Sequence, residues 1–279
     1  MYSTAHIIFI IISLVLIVVG VMICEKTKVT IPSLIKVCFL IALICEVIKI
    51  FAIIDIVPIV ETIVEDGIIV YKETGRFSPY IKAEHLPFEL CSYQIIFLFL
   101  ARVVKNEVWK RRIYSLIYAT ALIGGTLAIF LSSIAPEYDT TSEFLLSIRA
   151  WEFYIYHSMI VVIAIIIARD KNNYLRFGDI KWTCIILLLL DIFSFYLNSI
   201  FSIPVYKNDS LIGLEYAVNY FSSYNNPVGI VLDTKKAYLT YLMLRFIIAL
   251  VLIVVIYLPF LKRDKALDDE NKGVEFVNK

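Results

Sequence analysis

At 279 residues, with 60% hydrophobic and 18% charged side chains, the chain lies far outside the composition of a soluble domain. A net charge of +1, with no basic patch interleaved with aromatics outside a few short loops, excludes nucleic acid as a partner. The apolar runs are continuous and ~19–24 residues long, which fits helical spans rather than the ~10-residue alternating strands of a barrel. The expected fold is therefore an all-α membrane protein, multi-pass in the cell membrane, with membrane lipids as its partners.

Seven transmembrane helices are predicted, at about 5–24, 35–57, 86–104, 112–134, 149–168, 182–203 and 237–260, forming one domain over 1–261. The first opens with His6. No Lys or Arg precedes Glu25 and no small-residue cleavage site follows, so it reads as a permanent helix rather than a signal peptide. The second carries Glu46 and Lys49, spaced to pair along one helix. The third is marked by Pro87 at a helix-starting position after Glu84 and His85; Cys91 and Gln94 share a face there, with Glu89 just outside it. Gly124-Gly125 in the fourth permits close packing or a bend. His157 lies about two turns into the fifth, with Tyr154 on its face. Asp191, Ser194 and Asn198 share a face of the sixth, and Tyr241 and Arg245 a face of the seventh. Residues 262–279 read as a charged cytoplasmic tail that frays.

Basic residues collect in alternate connections: Lys26 and Lys28; Arg102, Lys105, Lys110, Arg111 and Arg112; Arg169, Lys171, Arg176 and Lys181; then Lys262, Arg263 and Lys265. The connections between them hold Glu61, Glu65, Asp66 and Glu73, then Glu137, Asp139 and Glu143. The positive-inside rule then puts the N-terminus outside and the C-terminus in the cytoplasm. Two outer connections are long, about 58–85 and 204–236. The second is rich in aromatic and amide residues (Tyr216, Asn219, Tyr220, Phe221, Tyr224, Asn225, Asn226, Pro227) and reads as a lid or interfacial segment.

The five cysteines show no CxxC or Cys/His zinc spacing, and no P-loop, HExxH, Gly-x-Ser-x-Gly or Gly-rich dinucleotide motif is present. No metal or other cofactor is expected. Cys91 at a helix start would have its thiolate favoured by the positive end of the helix dipole. His157 enters the membrane from the same side, and a Cys–His pair is the minimum for a thiol nucleophile activated by a base. His6 lies at that depth too, as a second base or an interfacial cap. Asp191–Arg245 and Glu46–Lys49 read either as interior ion pairs that fix packing or, with Asn198, as the midplane groups of a carrier.

The stretch His85-Leu86-Pro87-Phe88-Glu89-Leu90-Cys91-Ser92 resembles the Leu-Pro-x-His-x-Cys segment of the YwaF family of bacterial integral membrane proteins. Ala5-His6-Ile7-Ile8-Phe9 is similar to that family's first-helix histidine, and His157 falls where it has one in the fifth span. Asn219-Tyr220-Phe221, Asn226-Pro227 and Val231-Leu232-Asp233 resemble its outer-loop motif. Two positions depart from the pattern: Glu89 stands where the family usually has a histidine, and Thr234-Lys235-Lys236-Ala237-Tyr238 replaces its Gly-Pro-Trp-Pro-Trp run. The resemblance implies a distant kinship with transmembrane lipid enzymes, including cysteine-dependent acyltransferases of ether phospholipids and lipid ester hydrolases.

Three functions stay open. The first is a lipid acyltransferase or hydrolase near the outer leaflet. It would use Cys91, His157 and His6 for catalysis, with Glu89, Gln94, Asn198, Asn219 and Arg245 about the substrate. Its oxyanion donors would be unpartnered N–H groups at the start of the third span. The second is a small-solute carrier working through the midplane charges. The third is a non-catalytic membrane scaffold.

Overall fold

A computed structural model describes residues 4–65, 68–131, 140–170, 175–207, 210–216, 219–222 and 234–277. Its helices are α1 (Thr4–Thr27), α2 (Ile31–Ile53), α3 (Tyr93–Val103), α4 (Glu107–Phe130), the short α5 (Thr141–Leu146), α6 (Ile148–Arg169), α7 (Ile180–Phe201) and α8 (Lys235–Val277). Among the described residues, five segments are long and apolar enough to cross a membrane: α1, α4, α6, Phe177–Phe201 and Lys235–Asp264. Their exposed side chains are largely apolar, such as Ile11, Val15 and Met22 on α1 and Met243 and Val251 on α8, as a hydrocarbon solvent requires.

The remaining two expected spans differ from that set. α2 has 23 residues and carries Lys36, Glu46 and Lys49. α3 has only 11 residues, because the chain from Leu86 to Ser92 is bends and turns. Pro87 therefore does not open a helix. It instead holds Leu86 extended, at φ −62° and ψ 152°, as the residue before a proline prefers.

The all-α expectation fails in both long connections. β1 (Asp55–Glu65) pairs antiparallel with β2 (Ile68–Tyr80), and β3 (Ile203–Lys207) with β4 (Ser210–Tyr216), each as a separate two-stranded sheet. β1 also shortens the second predicted span, which stops at Ile53 rather than 57. At the other end of the molecule, α4 starts five residues before its predicted position. Asn106 caps it, its side-chain oxygen accepting the N–H groups of Val108 and Trp109, so Lys110, Arg111 and Arg112 lie on the helix rather than in a loop. α8 runs on to Val277 through Pro259, so the charged tail is helical; Lys, Ala, Leu and Glu there are all good helix formers. Glu137, Asp139, Tyr224, Asn225, Asn226, Pro227 and Val231-Leu232-Asp233 lie outside the described residues.

The core is organised around α6. Tyr156, Ile160, Ile163 and Ile167 pack with Ile35, Cys38 and Ala42 of α2, Phe97 and Leu98 of α3 and Ile117 and Ala121 of α4. Phe153, Tyr154 and Val161 pack with Ala5 and Phe9 of α1 and Ile129 of α4. At the opposite end from α5, the basic segments meet: Arg169 pairs with Glu25, Arg111 with Asp179 at 2.8 Å, and the Phe177 N–H donates to Asp264 at 2.7 Å. Just inside that end, Thr183 of α7 lies 3.1 Å from the Ser115 hydroxyl and the Tyr257 hydroxyl donates to the Ser115 carbonyl at 2.8 Å, joining α4, α7 and α8.

Two glycines set how closely α6 is held. A Cβ on Gly20 of α1 would stand 2.9 Å from Val162, and one on Gly125 of α4 would stand 2.8 Å from Val161 and 3.0 Å from Ile160. The targets are β-branched and buried or nearly so, and have little room to yield. Beside Gly124 the nearest atom is Leu90 Cδ2 at 3.8 Å, an ordinary contact. Gly125→Ala is expected to cost about 1–3 kcal/mol through overpacking, while Gly124→Ala is neutral or slightly stabilising. Thermal unfolding in detergent micelles separates the two, and equal effects would remove the close-packing role of Gly125.

Candidate functional site

Cys91 sits, half-buried, in the turn that leads into α3. Its carbonyl accepts the N–H of Gln94 at 3.1 Å and the hydroxyl of Tyr156 at 2.6 Å, which stitches the turn to α6. The N–H groups of Ser92 and Tyr93 go to the Glu89 carbonyl, that of Gln94 to Cys91 and that of Ile95 to Ser92. The expected oxyanion donors at the start of the third span are thus already bonded to carbonyls. The Cys91 sulfur faces its own N–H and that of Ser92.

His157, one residue beyond Tyr156, is 3% exposed. Its Nδ1 lies 2.6 Å from the Phe153 carbonyl. A carbonyl only accepts, so Nδ1 carries the proton and Nε2 of the neutral ring holds the lone pair. Nε2 is buried and has no hydrogen-bond partner among the described residues, the Cys91 thiol included. Cys91 and His157 are therefore not hydrogen-bonded to each other; Tyr156, the chain neighbour of His157, makes the bond to the Cys91 turn.

A set of charges surrounds this turn. Lys49 of α2 is 2.6 Å from Glu46 and in electrostatic reach of Glu89, Cys91 and Glu152. Glu152 of α6 pairs with Arg149. Sequence reading anticipated the first pair and passed over the second, although Arg149 and Glu152 carry the same signal: opposite charges three residues apart inside an apolar run. His85, in the turn before Pro87, lies 4.0 Å from Glu84; burial pushes its imidazole below the usual range while Glu84 pulls the other way.

The other predicted site residues fall into two groups. Gln94, 1% exposed, donates to the Thr120 hydroxyl at 2.5 Å, and its Oε1 is buried without a partner among the described residues, one turn below Cys91. His6 is taken up elsewhere: its Nε2 is 3.2 Å from the Ile129 carbonyl, tying α1 to α4, with the Tyr154 ring 6.2 Å away. The second group forms a strap. Asn198 holds Tyr220 from both sides, its Oδ1 accepting the Tyr220 N–H at 2.8 Å and its Nδ2 donating to the Tyr220 carbonyl at 3.2 Å. Asn219, half-buried, precedes this clamp. The Phe221 N–H donates to Glu89 at 3.3 Å, and Arg245 donates to the Phe221 carbonyl.

Phe221 adopts φ +59°, ψ +26°, the left-handed region that costs a non-glycine residue about 1–2 kcal/mol. Two bonds to charged side chains, each worth about 1.5–3 kcal/mol, outweigh that strain. The Phe221 ring lies over Tyr93 at 6.2 Å, and Phe88 packs on Tyr220 at 5.6 Å, so the strap covers the α3 turn. Arg245 also pairs with Asp191 at 2.5 Å, which makes these two residues an interhelical clamp. Among the described residues no group of three His, Cys, Asp or Glu side chains is placed to hold a metal ion.

The sequence profile of the TMEM164 family matches residues 1–257, nearly the whole chain, and the chain belongs to that family of multi-pass membrane proteins. No curated protein matches it. No solved structure matches it either.

Arg245→Met leaves Asp191 without its cation and the Phe221 carbonyl without its donor, and is expected to destabilise the protein by about 3 kcal/mol. Asp191→Leu combined with Arg245→Met removes both charges and is expected to recover at least half of that loss. A thermal-unfolding cycle over the two singles and the double decides the point: a double no better than Arg245→Met refutes the clamp.

Proposed function

We propose that the chain is a thiol-dependent lipid acyl-transfer enzyme, a transferase or a hydrolase, with Cys91 as nucleophile and His157 as general base. The observation that carries the reading is the His157 ring: buried, in the tautomer of a base, with Nε2 unpartnered among the described residues, and next in the chain to Tyr156, whose hydroxyl is bonded to the Cys91 carbonyl. A buried polar atom without a partner is costly, and it persists where a ligand or reaction supplies one. The likeness of the His85–Ser92 stretch to the YwaF motif selects the same cysteine.

In this reading the chain makes seven spans with its N-terminus outside, and the site lies near the outer leaflet of the cell membrane, at the depth of glycerol ester carbonyls. On substrate binding the thiol turns toward Nε2, as catalytic hydrogen bonds that are long in the free enzyme tighten in the complex. His157 takes the Cys91 proton and the thiolate attacks the ester carbonyl. The carbon–oxygen bond of the ester then breaks, and the departing lysolipid oxygen takes the proton from His157. The acyl group, held as a thioester on Cys91, passes to a lysolipid hydroxyl or to water, whose proton returns through His157. Lys49 supplies the positive charge near the developing oxyanion, with the N–H of Cys91 itself, which faces the sulfur, as the backbone donor. Gln94 lines the site through its open Oε1. Glu89, Asn198, Asn219 and Arg245 shape it through the strap, and His6 supports α1 at its edge.

Intact-protein mass spectrometry after incubation with phospholipid tests the reading. A hydroxylamine-labile acyl adduct is expected on the parent chain and absent from Cys91→Ala, and His157→Gln is expected to slow its formation about 10²–10⁴-fold. No adduct, under conditions where a maleimide does label Cys91, would end the acyl-transfer reading.

A further inference from the structure

Near the basic end of the bundle, a groove of about 370 Å³ runs between α2 and α3, lined by Ser33, Lys36, Val37, Phe39, Leu40 and Arg102. It is separate from the Cys91 turn: Arg102 lies in the last turn of α3 and Cys91 just before its first, roughly 15 Å apart at the helical rise. Two cations from different helices thus line one groove, and among the described residues neither has a carboxylate within ion-pair distance. The Arg102 guanidinium lies 5.4 Å from the centre of the Phe39 ring, which packs on Phe99 at 6.0 Å. That contact keeps the charge at the groove instead of extended into the aqueous layer. Ser33 accepts a hydrogen bond from the Thr30 hydroxyl at 3.0 Å, so its own O–H is left to donate.

From these polar groups an apolar strip leads toward the middle of α2. Val37, Leu40, Ile44 and Val47 are 50–59% exposed and follow one another at three- and four-residue spacing on one face. In a membrane, what fills such a groove is lipid, and the anion found at this depth is the headgroup phosphate. Two uncompensated cations in a poorly screened setting favour a headgroup of net negative charge over one that brings its own ammonium.

We infer that the groove between α2 and α3 binds one anionic phospholipid, its phosphate held by Lys36, Arg102 and the Ser33 hydroxyl and an acyl chain lying on the Val37–Val47 strip. The lipid is a resident of the leaflet at the basic end, at the opposite end of α3 from the proposed acyl-transfer site, and its binding does not depend on that chemistry.

Native mass spectrometry of the protein released from nanodiscs of equal phosphatidylglycerol and phosphatidylcholine provides the test. The parent chain is expected to retain phosphatidylglycerol in preference to phosphatidylcholine, and Lys36→Gln/Arg102→Gln to lose roughly tenfold in that retention. Lys36→Arg should keep it, and added glycerol 3-phosphate should not displace it. Thermal unfolding in pure phosphatidylcholine nanodiscs should be the same for the parent and the double variant. If the double variant unfolds there, Lys36→Gln alone is scored in its place, with a loss of about threefold expected. Undiminished phosphatidylglycerol retention in the scored variant would mean that the cations only reach for water. Equal retention of phosphatidylcholine would mean a generic lipid contact, and displacement by glycerol 3-phosphate a site for soluble phosphate. Each of these three overturns the inference.

Discussion

The close approach of α1 and α4 to one turn of α6 is the constraint on which the rest of the bundle depends. Gly20 and Gly125 face Val162, Val161 and Ile160 from two sides, and no side chain larger than hydrogen fits either position without displacing a buried β-branched residue. With α6 seated at that depth, Tyr156 meets the carbonyl of Cys91 and His157 is enclosed against Phe153. Between helices in a membrane the hydrophobic effect gives little drive, so packing of this kind and interhelical hydrogen bonds carry the association. The site is thus a consequence of the packing, since the Tyr156 bond to Cys91 requires α6 at that position.

The same absence of water sorts the buried polar groups by role. Glu46–Lys49 and Arg149–Glu152 are pairs along one helix each, which neutralise charge in the bundle, and Asp191–Arg245 joins α7 to α8. His157 Nε2 and Gln94 Oε1 are different: both are acceptors, both are enclosed, and both lie on residues next to the Cys91 turn. Asp191, Arg245 and Asn198, on which a carrier would depend, are by contrast already bonded within the fold, which weakens the carrier reading.

Much of this was legible in the residues. Continuous apolar runs placed α1, α4, α6, α7 and α8 to within a few residues at most ends, because length and hydropathy are local properties. Pairing of Glu46 with Lys49 and of Asp191 with Arg245 was legible as well, since charge in hydrocarbon has few ways to be stable. The hairpins were missed although their signal was present: Asp66-Gly67 stands between β-branched runs, a hairpin signature overlooked once a helical membrane chain had been inferred. The fate of Pro87 was not legible, because a proline suits a first helical turn and an extended approach to it about equally well. Nor could spacing reveal that the N–H groups at the head of α3 would be consumed by the turn before it, or that His6 would be taken by Ile129 across 123 residues.

Glu89 shows most plainly how tertiary context changes the meaning of a residue. From the sequence it is a carboxylate two residues from a candidate nucleophile, where an ionised group would oppose the thiolate. In the fold its oxygen accepts the N–H of Phe221, a residue held in the left-handed region that also needs Arg245 on its carbonyl. A donor side chain at position 89 would leave that N–H unmet and the strained turn with half its support. The carboxylate therefore couples the Cys91 turn to the strap, and through Arg245 and Asp191 to α8 and α7. Loss of any one of these contacts would loosen the cover over Phe88 and Tyr93, so the turn that carries Cys91 and the strap are one mechanical unit rather than two adjoining features.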